Sequence, residues 1–289
     1  MTISQLSKRM DSILAEIPDK SFDKYCILED MGRITREQCL IHPDTEISDS
    51  LSMRIISAAN RRASGYPLQY ILGKWEFYGR SFKVGEGVLI PRPDTEVLVD
   101  EALKRLSDGN KHTVIDLCSG SGCIAVTLAK ELEGKAKVYA AELSGEAFAY
   151  LAENVKLNHA DVRLIRGDVM DEALLENFRD FHDRAKYIKI DCIVSNPPYL
   201  TDEEMDSLQR EVSFEPETAL YGGTDGLRFY GTIARLWSEL LIPGGLMIFE
   251  IGNGQEQAVS QILSDCGFDD IFTAKDAAGT IRVVGGRKC

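Results

Sequence analysis

Asn196-Pro197-Pro198-Tyr199, at the end of the apolar run Asp191-Cys192-Ile193-Val194-Ser195, restricts the available chemistry more than any other segment of this chain. Two consecutive prolines remove two backbone donors and fix φ at both, leaving a rigid turn whose carbonyls only accept hydrogen bonds. Asn196 adds a side-chain carbonyl acceptor and Tyr199 a flat aromatic face. Such a set can clamp a planar NH2 group: its hydrogens go to the Asn196 side-chain oxygen and the Pro197 carbonyl, and its plane rests on Tyr199. The lone pair of an amide or aromatic amine is delocalised and poorly nucleophilic. Two acceptors on its hydrogens return electron density to nitrogen and hold it in line with an electrophile, which is catalysis by positioning and electrostatics without a strong base. The competing reading is a rigid surface turn with no ligand, and the setting of the turn weighs against it.

That setting begins at Thr113-Val114-Ile115-Asp116-Leu117, which runs into Cys118-Ser119-Gly120-Ser121-Gly122 and then the apolar segment Cys123–Ala129. Glycines let a backbone approach a ligand closely, and the free N–H groups at a helix start favour a carboxylate or phosphate. Glu142, at the end of the next strand, is placed to accept two ribose hydroxyls, which points to a nucleoside-bearing cofactor. Asp168, after the third strand, is a candidate for the adenine side of the pocket and equally a helix cap. Gly120-Ser121-Gly122-Cys123-Ile124-Ala125 also fits the G-x-G-x-x-A dinucleotide pattern, so on this turn alone a nicotinamide enzyme stays open.

The elements that must position these turns follow from hydrophobic periodicity. From Thr2 to Gly65 apolar residues recur at helical spacing (Leu6, Met10, Ile13, Leu14, Ile17; Leu51, Ile55, Ile56, Ala59, Ala63), which predicts a small all-helical domain with Ser48-Asp49-Ser50 as a cap and Gly32 and Gly65 as stops. Trp75 to Val84 reads as a β-hairpin. After Pro93, strands at 113–117, 137–142, 162–166, 188–195, 245–251, 270–274 and 280–286 alternate with helices at 94–107, 122–132, 144–157, 171–179, 226–241 and 255–265. This is an α/β pattern: a seven-stranded, mostly parallel, Rossmann-like sheet covered on both faces, with an antiparallel hairpin at one edge. The division is residues 1–73 helical, 74–93 hairpin linker, 94–289 catalytic domain.

Composition sets the outer limits. The chain has 289 residues, 44% of them hydrophobic and 27% charged, which excludes disordered and disulfide-stapled classes. Its 33 Lys+Arg against 46 Asp+Glu give a net charge of −13, the opposite of a nucleic-acid footprint. Charges enter too early for a signal peptide, and the window Leu240–Glu250 is too short and too broken by Pro-Gly-Gly for a membrane span. Seven scattered cysteines without C-x-x-C, and isolated histidines at 42, 112, 159 and 182, predict reduced thiols, a cytoplasmic location and no metal.

The residues resemble the class I S-adenosylmethionine-dependent methyltransferases, and within them the HemK/PrmC family of peptide chain release factor glutamine methyltransferases. The resemblance rests on Gly65–Gly73, Val88–Glu96 (containing Pro91-Arg92-Pro93-Asp94-Thr95-Glu96), Asp116–Gly122, Ser195–Tyr199, Phe214-Glu215-Pro216 and Gly222–Leu227. It implies transfer of methyl from S-adenosylmethionine to the side-chain amide nitrogen of glutamine in the Gly-Gly-Gln motif of class-1 release factors, giving N5-methylglutamine, by a monomer whose helical domain helps to grip the protein substrate. Carried over by position, Asp116 and Cys118 to Gly122 belong to the cofactor turn, with Cys118 to Gly122 lining the methionine part. Glu142 serves the ribose, Asp168 and Val169 flank the adenine, and Asn196 and Pro197, with Pro198 and Tyr199, hold the glutamine amide. Arg92 faces a substrate or cofactor carboxylate, or makes a structural ion pair. Three positions depart from the family's usual residues: Cys118 where Gly is common, Glu142 where Asp is common, and Val169 where an aromatic is common. A glutamine on a ribosomal protein is the second reading, and adenine N6 in a nucleic acid the third.

Overall fold

The recurrence of Leu6 and Met10 becomes one face of helix α1 (Ile3–Ile13), with Leu14 just past its end, and all three are buried with Ile27 and Leu28 of α2 (Lys20–Gly32) and Ile55 of α4 (Asp49–Ala63). The short helices α3 (Arg36–Ile41) and α5 (Leu68–Leu72) complete this unit. Side chains fix the helix starts: Thr2 and Thr35 form capping boxes with Gln5 and Gln38, and Ser48 caps α4. Helix α2 ends at Gly32, with Arg33 in the left-handed region at φ 54°. The structure is a computed structural model that describes residues 1–178 and 187–289. It divides into two compact units, Met1–Trp75 with Gln209–Phe214, and Glu76–Leu208 with Glu215–Cys289. Gln209–Phe214, which the sequence places within the catalytic domain, thus belongs to the helical unit, where Glu211 and Asp23 both pair with the buried Arg62.

A two-stranded hairpin, β1 (Lys74–Phe77) and β2 (Arg80–Lys83), turns at Tyr78-Gly79 with φ of 51° and 69°, the double positive φ that a tight hairpin requires. The second unit is built on seven strands: β3 (His112–Leu117), β4 (Ala136–Glu142), β5 (Val162–Arg166), β6 (Ile190–Ser195), β7 (Leu241–Glu250), β8 (Phe268–Lys275) and β9 (Ile281–Lys288). Their order is β5-β4-β3-β6-β7-β9-β8, with β9 antiparallel to both neighbours and the remaining pairs parallel. The α/β sheet read from the sequence, its edge hairpin included, is therefore present. Alternate residues of β3 face opposite cores: Ile115 and Leu117 lie with Tyr230 and Trp237 of α10 (Arg228–Trp237) and Leu263 of α11 (Glu256–Asp265), while Val114 lies with Leu98 of α6 (Glu96–Leu106) and Leu128 of α7 (Cys123–Glu131). Helices α8 (Gly145–Leu157) and α9 (Asp202–Asp206) follow β4 and β6.

Some element readings need correction. The helix expected at 171–179 is a 3-10 segment at Glu172–Phe178, and Arg179, like His182, lies outside the described residues. Strand β7 starts at Leu241, not at residue 245: Pro243-Gly244-Gly245 is accommodated by an irregularity in its pairing with β6, between Ile190 and Cys192. The preceding helix correspondingly ends at Trp237, followed by a 3-10 turn at Ser238–Leu240. No described helix is long and apolar enough to cross a membrane.

Candidate active site

Strand β3 lies between β4 and β6, so the chain order reverses there and the turns after β3 and β6 open side by side at the carboxyl edge of the sheet, where open α/β sheets bind ligands. The buried Ser195 hydroxyl donates to the Leu117 carbonyl at 2.7 Å and ties the two strand ends together. A cavity of about 290 Å³ opens over both turns. Cys118, Ser119, Gly120, Ser121, Glu142, Asp168, Val169, Asn196, Pro198 and Arg92 line it, bringing together ten of the residues singled out by sequence. Asp116, Gly122, Pro197 and Tyr199 are not among its lining residues.

The turn after β3 follows from backbone freedom. Cys118, Gly120 and Gly122 all have positive φ, at 60°, 54° and 82°. A Cβ on Gly122 would come within 2.4 Å of Leu151 of α8, so this glycine is a packing requirement, whereas a Cβ on Gly120 would meet nothing within 4 Å. Beneath the turn, Asp116 accepts from the Ala125 amide at 3.2 Å with one oxygen, and its other oxygen is buried without a partner. Burial pushes this carboxyl up to about 8. Behind the turn, the fully buried Asn154 of α8 pairs with both backbone groups of Lys83, at 2.6 and 3.0 Å, and donates to the Ser121 carbonyl at 2.9 Å.

Glu142 and Asp168 already carry part of their hydrogen bonding internally. The Glu142 carboxylate accepts from the Gly120 and Ser144 amides, one on each oxygen, both at 2.8 Å. The Leu143 backbone amide also supports the charged form, and the carboxylate keeps some acceptor capacity beyond these amides. Burial raises this carboxyl above its ordinary range, against the pull of those amides. One Asp168 oxygen accepts from the Met170 amide at 2.9 Å, which closes a turn ahead of the 3-10 segment at Glu172–Phe178 and caps no helix, and the residue lines the cavity. Val169 is buried and its carbonyl accepts from the Trp237 indole at 2.9 Å.

On the β6 side, the Asn196 amide nitrogen donates to the Thr95 hydroxyl at 3.3 Å, which leaves the side-chain oxygen of this cavity-lining residue available as an acceptor. The Tyr199 carbonyl accepts from Gln255 at 3.1 Å, and Gln255 is itself held by the Gly252 amide and the Tyr230 hydroxyl. A Cβ at Gly222 would lie 2.6 Å from the Tyr199 Cα, so the Gly222-Gly223 segment packs directly on the turn. Arg92 pairs with the buried Glu215, whose second oxygen accepts from the Ile90 amide at 3.0 Å; of its two readings, the ion pair is present. Sequence reasoning misses Thr95, Glu250, Gln255 and Asn154 as site residues. A carboxylate closing the apolar run Leu246–Phe249 is the available signal for Glu250; nothing in the local pattern marks Asn154.

A sheet of this order, with a glycine turn and an Asn-Pro-Pro-Tyr turn at neighbouring strand ends, defines a class I methyltransferase. Residues 5–73 match the PrmC N-terminal domain and residues 93–214 the methyltransferase small domain. The release factor glutamine methyltransferase of Geobacter sulfurreducens is 46% identical over 228 residues, 78% of this chain and 75% of that one. That of Clostridium botulinum is 35% identical over 277 residues, 95% of this chain and 94% of that one. This chain belongs to the release factor glutamine methyltransferase family. A methyltransferase from Pyrococcus furiosus, 17% identical, shares the fold with a TM-score of 0.51 over 83% of this chain and 99% of that one.

Proposed function

We propose that this protein methylates the side-chain amide nitrogen of the glutamine in the Gly-Gly-Gln motif of class-1 release factors, as a cytoplasmic monomer that uses S-adenosylmethionine and does not bind nucleic acid. The observation that carries the reading is the Asn196 side chain, whose nitrogen is committed to Thr95 and whose oxygen is free to accept at a cavity shared with the glycine turn.

The residues present fit the cofactor: the turn backbone is open at Gly120, the Glu142 carboxylate lines the cavity with acceptor capacity left for a ribose hydroxyl, and Val169 offers an apolar wall to an adenine. When bound, S-adenosylmethionine supplies an electrophilic methyl group. Asn196 and the Pro197 carbonyl accept the two amide hydrogens and orient the nitrogen, while Pro198 shapes the cavity. Tyr199, packed against the core, braces the turn through its carbonyl. Arg92, held by Glu215, presents its remaining donors at the rim.

The test uses purified protein, methyl-labelled S-adenosylmethionine and a release factor. Label is expected on the wild-type factor and not on its Gln→Ala variant in Gly-Gly-Gln. Equal labelling of both, or of neither, sinks the assignment.

A further inference from the structure

Glu250, the last residue of β7, is buried at 2% exposure directly behind the amide clamp, and one of its carboxylate oxygens has no hydrogen-bond partner. A buried acid with an unpartnered oxygen costs stability. Its carboxyl faces the Thr95 hydroxyl and the Asn196 amide. Thr95 already accepts from the Asn196 nitrogen, so its own O–H is left to donate, and the acceptor within reach is Glu250.

We propose that Glu250 is a positioning residue that sets which way the Asn196 amide points: as terminal acceptor of the chain from Asn196 nitrogen through Thr95 hydroxyl to carboxylate, it keeps the Asn196 oxygen turned to the substrate. The inference rests on the role given to Asn196 above. With the amide reversed, its NH2 would oppose the NH2 of the substrate, donor against donor, and the clamp would fail. Protonated Glu250 can donate to Thr95 and reverse the polarity of the whole chain, so the ionised form is the active one.

Burial pushes the Glu250 carboxyl up to about 7, and the groups around it pull both ways. Thr95, Asn196 and Arg282 of β9 favour the charged form, and Asp94 opposes it. Tyr199, Tyr230 of α10 and Cys123 of α7 also face it, each raised in part by its charge. Turnover should therefore fall as pH drops below about 7, in a limb belonging to Glu250.

Two variants test this on the full chain. Glu250→Met removes the acceptor at similar volume: kcat is expected to fall at least 30-fold, with cofactor Kd within threefold and Tm unchanged or higher. Glu250→Gln should lose about 5-fold in kcat and flatten the low-pH limb. Independently of activity, the Asn196 side-chain NH2 resonance should titrate with the low-pH limb in wild type and lose that response in Glu250→Gln. A Glu250→Met kcat within threefold of wild type, a parallel collapse of Tm and cofactor binding, or an Asn196 signal indifferent to Glu250 overturns the proposal. Wild-type enzyme that leaves the release factor unlabelled overturns instead the reading on which it rests.

Discussion

Cys118 holds a side chain where the turn demands φ of 60°, and the stability consequences can be worked out. A Cβ in the left-handed region costs about 1–2 kcal/mol. Cys118→Gly removes that strain, gives back about 0.5–1 kcal/mol in unfolded-chain entropy, and loses roughly 0.8 kcal/mol of burial by the half-buried thiol. These nearly cancel, so the glycine variant should fall within about 1 kcal/mol of wild type. Cys118→Ala keeps the strain and loses the sulfur, about 0.8 kcal/mol. Cys118→Val adds a β-branch to a left-handed backbone and should cost about 2 kcal/mol. For a domain of this size that is a Tm loss of roughly 4–8 °C. Thermal and urea unfolding of the three variants should rank Gly at or above Ala, and Ala above Val. A valine variant that melts with wild type, or a glycine variant below alanine, refutes the strain argument.

Asn196→Ala should leave cofactor Kd within a few-fold while kcat drops about 10²–10³-fold, as for loss of one positioned contact; unchanged turnover in the release-factor assay discards the clamp. Asp116, raised from 3.8 to about 8 in the folded protein, favours folding at acid pH, and that contribution is lost as pH rises from about 4 through 8. Asp116→Asn should therefore flatten the pH dependence of the urea midpoint between about pH 5 and 8, and identical slopes in both proteins would count against a protonated Asp116. Asn154→Leu leaves the Lys83 and Ser121 backbone groups unpaired and should cost about 1–3 kcal/mol and weaken cofactor binding by calorimetry; no change in either contradicts its role as the staple of the turn.

The sheet was legible because each strand of the parallel core is a compact apolar run closed by a turn signal, as at Asp191–Ser195. Strand β7 starts earlier than its local sequence indicates, because Pro243-Gly244-Gly245 reads as a loop and only pairing with β6 draws it into the sheet. The candidate site is legible where its residues are contiguous: Cys118–Ser121, Asn196 and Pro198 come from two short segments and line one cavity. It was illegible where the partner arrives from elsewhere in the chain: Thr95 reaches Asn196 across 101 positions and Gln255 reaches Tyr199 across 56. Which face of a turn meets the cavity is equally a property of its neighbours. Tyr199 reads from sequence as the aromatic platform, yet Pro198 and not Tyr199 lines the cavity, because Tyr199 packs into the core.

The two turns are made rigid by different means. After β3, glycines permit the path and Asn154 fixes it from behind; after β6, prolines impose the path and Gln255 fixes it from behind. Ser195 then locks one strand end to the other, so the glycine turn and the Asn196–Tyr199 turn cannot drift apart without breaking a buried hydrogen bond. Catalysis by positioning needs this, because a displacement of about 1 Å can cost 10²-fold in rate. Two of the five buried side-chain atoms without a partner among the described residues sit at these places: Asp116 and Glu250 each bury an unpartnered oxygen directly behind a turn, and the other three are on Arg62, His112 and Thr127. A scaffold selected for stability alone would replace both acids with apolar residues, so two buried carboxyl groups with unpartnered oxygens, one behind each turn, are what a trade of stability for alignment leaves in a structure.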